Sequence, residues 1–273
     1  MGMQHLLFPI DFSPQCGAIA PYVATLAKAF VARLTVMHVM DTGGGISDFT
    51  PFEHHFHTIR EELRGRLDSY CLDLFQSLNV DRVFKIGRPV EEIVAHAAAT
   101  DAGLIIMPTH GHTRFRELLL GSITAGVLHD TASSVLTSAH MDQSAPPAAL
   151  PASILCAIDL SLSSIDVLAM SAHVAEYSGA SVRVVHILPP GASGLTEEHA
   201  AAIYRERAAA AGVDIPFSAI RAESIADAII DAERLYSADL LVIGRGKLQG
   251  VLGRLRSGAH ELIRRSRCPV LSV

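Results

Sequence analysis

The sequence predicts an α/β protein built from two similar domains, each a doubly wound parallel sheet with helices on both faces. Three observations support this prediction. Short apolar runs without alternation, such as Leu104–Met107, are typical of strands buried on both faces. These runs alternate with stretches in which apolar residues recur at helical spacing, so helices cross between parallel strands. The same order of strands and helices starts again near residue 153.

Composition limits the class of protein. A chain of 273 residues is long enough for two domains of about 150 residues each. Its hydrophobic content of 49% is typical of a globular protein, and its net charge of −6 gives no general argument for nucleic-acid binding. The four cysteines show no CxxC spacing, which indicates reduced, mostly buried thiols rather than a zinc site or a disulfide framework.

The N-terminal segment enters an apolar strand directly, without the basic region and long apolar run of a secretory signal. No stretch reaches the roughly 18 apolar residues that a membrane span needs. We therefore expect a cytoplasmic protein without a membrane partner.

The first half of the chain predicts five strands with helices between them. Predicted strands cover 5–11, 34–39, 83–86, 103–108 and 135–137, and predicted helices cover 13–33 and about 51–78, with shorter helices from 89 and from 122. Ser13 and Pro14 start the first helix as N-cap and first-turn proline. Glu91 and Glu92 lie in the first turn of the helix after Pro89, where they complement its dipole.

An internal repeat divides the chain. Asp159 and His186 follow Asp11 and His38 at the same offset of 148 positions (159 − 11 and 186 − 38). Later the offset falls to 135, so the second unit is shorter between its second and fourth strands. A stretch rich in Pro, Ala and Ser without periodicity separates the copies. We predict a first domain at 1–141, a linker at 142–152 and a second domain at 153–273.

The stretch after the fourth strand carries the predicted chemistry. Gly111 allows a positive φ or close approach to a ligand, and Gly121 precedes Ser122, which we predict to be the N-cap of the next helix. Unpaired N–H groups and the positive end of a helix dipole thus meet at a point where a phosphate fits. Glycines in such loops are also ordinary turn residues, so these few residues leave both interpretations open.

The longer pattern PTHGHTRFRELLLGS over 108–122 resembles the nucleotide-binding loop of the universal stress protein family. The family pattern is Gly, two residues, Gly, nine residues, Gly, then Ser or Thr. This chain matches it at Gly111, Gly121 and Ser122 and departs from it at Pro108, which replaces the first glycine. Together with the internal repeat, the resemblance covers nearly the whole chain in two copies.

The resemblance implies two tandem Rossmann-like domains of the adenine nucleotide alpha hydrolase type, each with five parallel strands in the order 3-2-1-4-5. This order reverses between strands one and four, where open α/β sheets bind ligands. In family members that bind ATP, residues matching Asp11 and Val39 contact the adenosine, and residues matching Gly111, Gly121 and Ser122 hold the phosphates. We therefore expect a cytosolic sensor or regulator of the stress response that binds ATP with Mg²⁺.

The expected nucleotide site is formed where the first, second and fourth strands end and where the helix at 122 begins. It comprises Pro9, Ile10, Asp11, Val39, Met107, Pro108, Gly111, His112, Gly121, Ser122, Ile123 and Thr124.

Several residues near this site have two interpretations. Arg114 and Arg116 either reach phosphate oxygens or are exposed loop arginines. His54 and His57 share a helix face, but two histidines make a weak metal site, so we predict no metal ligands. We interpret His110 and His112 as loop contacts rather than acid–base catalysts, because no serine or carboxylate stands at triad spacing. No catalytic residue is predicted, and any ATPase activity should be weak.

Missing motifs argue against other classes. The chain has no GxxxxGK[ST] and no GxGxxG after its first strand. A phosphoacceptor receiver domain would need acidic residues after strands one and three and a lysine after strand five, where Phe12, Gly87 and Thr137 stand. The remaining alternative is an interaction scaffold whose nucleotide pocket has decayed.

The second repeat should bind ATP more weakly than the first, or not at all. Its glycine loop is one residue shorter, and Arg256 replaces the glycine before Ser257, so a side chain projects where the backbone should approach a phosphate. Seven basic residues between positions 245 and 267 face only Glu261 as a local acidic residue. They either hold another polyanion or form a solvated face, and we favour the solvated face.

The fifth strands should mediate association. The order 3-2-1-4-5 leaves strand five at an edge, and an unpaired apolar edge promotes aggregation. We expect the two fifth strands to pair within one chain as an intramolecular pseudo-dimer, and a homodimer of chains is left open.

Overall fold

A computed structural model describes residues 3–41, 53–109, 120–138, 149–190, 195–245 and 254–273, and for 53–55 and 254–257 it describes the backbone alone. The described residues form two compact units. One unit contains the residues up to Val135, and the other contains Leu150–Val273 together with residues 136–138.

The first repeat alternates strands and helices. Its strands are β1 (His5–Pro9), β2 (Arg33–Met40), β3 (Val80–Ile86), β4 (Leu104–Pro108) and β5 (Ser134–Ser138). Its helices are α1 (Pro14–Ala29), α2 (Glu53–Ser69), α3 (Leu72–Phe75), α4 (Pro89–Ala99) and α5 (Ser122–Asp130).

The second repeat follows the same order. Its strands are β6 (Ser153–Ala157), β7 (Ser181–Leu188), β8 (Phe217–Arg221), β9 (Leu240–Ile243) and β10 (Val270–Ser272). Its helices are α6 (Ser164–Ser178), α7 (Glu197–Ala211), α8 (Ile225–Leu235) and α9 (Arg254–Arg265).

Strand order confirms the predicted fold class. Within the first repeat the order is β3-β2-β1-β4-β5, and within the second it is β8-β7-β6-β9-β10, so both follow 3-2-1-4-5. Leu6 on β1 lies in parallel register with Leu34 on β2 and with Leu104 on β4. In each repeat the order therefore reverses between the first and fourth strands.

The core of each repeat lies around its first strand. Every side chain of β1 is buried, as are the first four of β4. Because helices cover both faces of such a sheet, these strands lack the alternation of a half-exposed strand. Gly126 on α5 lets α4 approach closely, since a Cβ there would lie 2.7 Å from a methyl carbon of Val90.

The single helix predicted over about 51–78 is wrong. α2 ends at Ser69 and α3 begins at Leu72, because Cys71 between them takes a left-handed backbone with a φ of 51°. The guanidinium of Arg82 stabilises this break by donating two hydrogen bonds of 2.8 Å to carbonyls at the end of α2. The apolar spacing of the sequence continues through the break, so the spacing alone does not locate it.

Two predicted boundaries also move. The first helix ends at Ala29 rather than near Arg33, because the chain turns through Val31, whose φ is 49°, and Arg33 already begins β2. β3 begins at Val80 instead of residue 83, because its pairing with β2 starts at Val80 opposite Leu34.

The four cysteines are free, as predicted, and only Cys71 is not buried. Within the described parts of the chain, no helix has the length and apolar character needed to cross a bilayer.

Candidate functional site

The turn after β1 holds the first candidate residue, Asp11. Its carboxylate Oδ1 accepts a hydrogen bond from the N–H of Ser13 at 2.9 Å and from the thiol of Cys16 at 3.2 Å. Phe12, which lies between Asp11 and Ser13, has a φ of 61°, in the left-handed region. This is the turn geometry in which an aspartate bonds its own backbone two residues on. The half-buried carboxylate is therefore held at the carboxyl end of β1.

Aromatic side chains and an arginine surround this turn. The ring of Phe12 lies 4.5 Å from the ring of His38 and 5.9 Å from that of Tyr70, measured between centroids. The guanidinium carbon of Arg66 lies 4.3 Å from the centre of the Phe12 ring, which is a cation–π contact. Residues of β2 and α2 thus fix the position of the residue that follows Asp11.

Burial sets the protonation of two neighbours of Asp11. Burial, reinforced by the charge of Asp11, raises the pKa of the Cys16 thiol to about 12, so the thiol stays protonated and donates. Burial also lowers the pKa of His38, so its imidazole is neutral near pH 7. Both groups are therefore uncharged hydrogen-bond donors. The thiol of Cys16 donates to Asp11, and Nδ1 of His38 donates to the carbonyl of Ile10.

The second half of the candidate site lies where β4 ends and α5 begins. The N–H of Gly121 donates to the carbonyl of Thr109 at 2.7 Å, and the hydroxyl of Thr124 donates to the carbonyl of Pro108 at 3.0 Å. These two hydrogen bonds connect the end of β4 to the start of α5. The N-terminus of α5 therefore lies beside the carboxyl end of β4, and a helix N-terminus favours negative charge.

The predicted N-cap of this helix is wrong. Gly121 occupies the N-cap position with φ −59° and ψ 143°, and Ser122 is the first helical residue. A serine at the N-cap would accept a hydrogen bond from the helix, whereas Ser122 is exposed one position further on. No side chain therefore caps the N-terminus of this helix with a hydrogen bond.

The structure brings together most of the predicted site residues. Pro9 and Ile10 lead into Asp11, Met107 and Pro108 end the adjacent strand β4, and Val39 lies two positions beyond Met37, the partner of Pro9 on β2. Ile123 is exposed and Thr124 is buried in the first turn of α5. The predicted residues Gly111 and His112, and also His110, Arg114 and Arg116, lie outside the described residues. In the parts of the chain that the structure does describe, no group of three His, Cys, Asp or Glu side chains could hold a metal ion.

The second repeat forms the same turn with different side chains. Oδ1 of Asp159 accepts from the N–H of Ser161 at 3.0 Å, from its hydroxyl at 2.6 Å and from the hydroxyl of Ser164 at 3.0 Å. Burial alone would raise the pKa of Asp159, but the hydrogen bonds from these serines outweigh it and hold that pKa below its usual value. Oδ1 of Asp159 is therefore engaged by its own turn.

The end of β9 refines the comparison of the two glycine loops. Leu240 pairs with Ile154 as Leu104 pairs with Leu6, so Gly244 takes the place that Pro108 has in the first repeat. The first repeat thus lacks the first glycine of the family pattern, and the second repeat has it.

The basic stretch of the second repeat is less positive than predicted. Arg265 bonds the carboxylates of Asp227 and Glu261, the latter at 2.7 Å. The buried Glu233 accepts from the N–H of Arg267 at 2.7 Å and from the hydroxyl of Ser266 at 2.8 Å. The prediction that Glu261 is the only local acidic residue is wrong, because α8 brings Asp227 to the side chain of Arg265 and the buried Glu233 to the main chain of Arg267.

Sequence reasoning missed the roles of His38, Tyr70 and Arg66. His38 appeared only as one half of the repeat that pairs it with His186. That shared offset, next to the aspartate turn, was the available signal for a role of His38. Nothing in the spacing of the predicted helix over about 51–78 identifies the contacts of Arg66 and Tyr70 with Phe12. These contacts depend on how α2 and the residue after it pack over the turn.

Together, the strand order and the paired turns define a tandem α/β protein of the Rossmann-like type, with a candidate site at the switch point of the first repeat. The model of the universal stress protein family matches residues 2–138 and 152–273, and the chain belongs to this family.

The chain is also similar to individual universal stress proteins. The chain is 26% identical over 150 residues to the universal stress protein MJ0577 of Methanocaldococcus jannaschii, covering 49% of this chain and 93% of that protein. Its structure is similar to that of a universal stress protein from Archaeoglobus fulgidus, with a TM-score of 0.76 and 21% identity over 100% of this chain and 98% of the other. A universal stress protein in complex with cAMP is 29% identical, with a TM-score of 0.38 over 46% of this chain and 98% of its own.

Proposed function

We propose that this chain binds ATP through its first repeat and acts as a cytoplasmic nucleotide sensor in the stress response. The observation that supports the proposal is the meeting of two features at the switch point. The turn carrying Asp11 and the N-terminus of α5 lie at the ends of the adjacent strands β1 and β4. Open α/β sheets bind nucleotides at this kind of position.

Each part of the nucleotide has a partner in this proposal. The main chain of Val39 bonds the edge of the adenine ring, and Asp11 accepts a hydrogen bond from the ribose or the adenine amino group. The first-turn N–H groups of α5, at Ser122 and Ile123, hold the phosphates together with Gly111. Mg²⁺ enters with the nucleotide, since it prefers phosphate and water oxygens. We propose a binding protein, with ATP hydrolysis weak at most.

Gly121 offers a sharp test of the phosphate position. Aspartate and asparagine are both good N-caps, so Gly121→Asp and Gly121→Asn should leave the helix intact. Only Gly121→Asp places a negative charge against the phosphates. In titration calorimetry we expect Gly121→Asp to abolish ATP binding and Gly121→Asn to weaken it less. Equal ATP affinity of Gly121→Asp and the wild type would show that the phosphates do not lie at α5.

The repeats should be unequal in the same titration. We expect close to one tightly bound ATP per chain and little effect of Asp159→Ala, because the Asp159 carboxylate is already engaged by Ser161 and Ser164. Two equal tight sites would refute this asymmetry.

The second candidate function is a nucleotide-independent scaffold. The three hydrogen bonds that Oδ1 of Asp159 accepts within its own turn favour that role for the second repeat. Mass spectrometry of nucleotide released from the heat-denatured protein separates the two functions: adenine nucleotide supports the sensor, and none supports the scaffold. A titration with cAMP belongs in the same series, because one family member was solved with that ligand.

Association is proposed on the strand order alone. We propose that the fifth strands of the two repeats pair within one chain as a pseudo-dimer, and that two chains form a homodimer. Light scattering on the purified protein measures the number of chains in the particle.

A further inference from the structure

A side chain replaces a main-chain hydrogen bond at the end of β1. Nδ1 of His38 lies 2.8 Å from the carbonyl oxygen of Ile10. A carbonyl only accepts, so Nδ1 carries the proton and donates it. The ring is buried and lies against the rings of Phe12 and Phe84, whose centroids are 4.5 Å and 5.8 Å from its own. These contacts restrict the imidazole to the orientation that this bond requires.

The bond ends the parallel ladder between β1 and β2. The N–H of Ile10 donates to the carbonyl of Met37 at 2.8 Å. In a regular parallel ladder the carbonyl of Ile10 would then accept the N–H of Val39, two residues further along β2. Nδ1 of His38 donates to that carbonyl instead. The carbonyl of Val39 would in turn accept the N–H of Phe12, but the left-handed φ of Phe12, 61°, turns the chain away from β2.

The second repeat forms the same arrangement independently. Nδ1 of His186 lies 2.9 Å from the carbonyl of Ile158, whose N–H donates to Val185 at 3.0 Å. Leu160 takes the place of Phe12 with a φ of 64°. The replacement of a ladder bond by a histidine is therefore a reproducible part of this turn.

We propose that His38 is a positioning residue that keeps the main chain of Val39 open to a purine edge and fixes the peptide before Asp11. This inference rests on the proposed ATP site in the first repeat. On its Watson–Crick edge an adenine presents one acceptor, N1, and one donor, the 6-amino group, which match the N–H and C=O of Val39. Without His38, the carbonyl of Ile10 is free to bond the N–H of Val39 and to extend the ladder across the purine position.

Nucleotide discrimination tests the proposal on the full-length chain. Inosine triphosphate carries the same phosphates and ribose but presents a donor at N1 and an acceptor at position 6. We expect His38→Leu to weaken ATP binding about tenfold or more, which corresponds to the loss of one or two hydrogen bonds. Its affinity for inosine triphosphate should fall less, because that nucleotide does not form the hydrogen bonds to Val39 that the variant loses, so the preference for ATP should shrink.

Three further variants separate positioning from stability. His38→Asn places an amide N–H near the position of Nδ1 and should keep ATP affinity within about threefold, since it retains one donor to Ile10. His38→Gln extends the amide by one bond and should behave like His38→Leu, which makes the Asn and Gln pair decisive if the leucine variant does not fold. His186→Leu deletes the matching bond of the second repeat and should leave the tight ATP site unchanged.

Each outcome has a distinct meaning. Absence of ATP binding by the wild-type chain overturns the proposed function and this inference with it. If the wild type binds ATP, then unchanged affinity in His38→Leu, equal losses for both triphosphates, or an equal loss in His186→Leu overturns the positioning role and leaves the proposed function standing.

Discussion

Gly126→Ala should destabilise the first repeat, whereas the same substitution elsewhere in that repeat should stabilise it. A Cβ at Gly126 would lie 2.7 Å from one methyl carbon of Val90 and 3.1 Å from the other. Non-bonded carbon atoms are most stable at about 3.5–4.0 Å. Val90 belongs to α4, and valine has one strongly preferred rotamer in a helix, so its side chain cannot rotate away cheaply. Helices α4 and α5 must therefore separate to admit the methyl group.

The magnitude follows from two opposing effects. Overpacking of a helix contact costs about 1–3 kcal/mol. Replacing a glycine inside a helix by alanine stabilises the helix by about 1 kcal/mol, because alanine has the higher helix propensity. Gly65 on α2 is the matched control, since a Cβ there meets nothing within 4 Å. Gly65→Ala should gain up to about 1 kcal/mol, so the two variants should differ by about 1–3 kcal/mol.

Urea unfolding followed by circular dichroism measures the difference, with separate transitions allowed for the two compact units. In a Val90→Ala background the contact is gone, so Gly126→Ala should become neutral or stabilising. Because α5 carries the proposed phosphate site, Gly126→Ala should also weaken ATP binding while Gly65→Ala does not. Equal stability of the two alanine variants in the wild-type background would refute the packing argument.

Two further predictions concern buried polar groups. Burial, with smaller effects of nearby cations, lowers the pKa of His96. As the pH falls, the unfolded chain therefore takes up a proton at His96 before the folded chain does. Stability should therefore fall as pH drops through about 6.5 and level off below the folded pKa; His96→Leu should flatten this profile in urea titrations, and an unchanged profile in that variant would contradict this reason. Glu233→Ala should cost about 1–3 kcal/mol by leaving the N–H of Arg267 unpaired; Glu233→Gln should cost less, and equal losses would contradict this reason.

The strand order was predictable because buried strands and the internal repeat leave strong patterns in the sequence. Apolar runs fixed the existence of β1 and β4, and the position of Asp11 followed from the end of β1. The break between α2 and α3 was not predictable, because it depends on the left-handed backbone of Cys71 and on Arg82 from a distant strand. Ser122 was misplaced by one position, because a glycine and a serine are both acceptable N-caps in the sequence.

The contacts that distinguish the two repeats are even less visible in the sequence. The offset that pairs Asp11 with Asp159 also pairs Cys16 with Ser164 (16 + 148), a substitution between residues of similar size. In the structure it replaces a weak thiol donor at 3.2 Å with a hydroxyl donor at 3.0 Å, and the hydroxyl of Ser161 adds a further bond at 2.6 Å. Both aspartates keep the same backbone turn and the same histidine behind it. The two repeats thus keep one fold while these donors to the aspartate differ, and we propose that this difference makes their capacity for a ligand unequal.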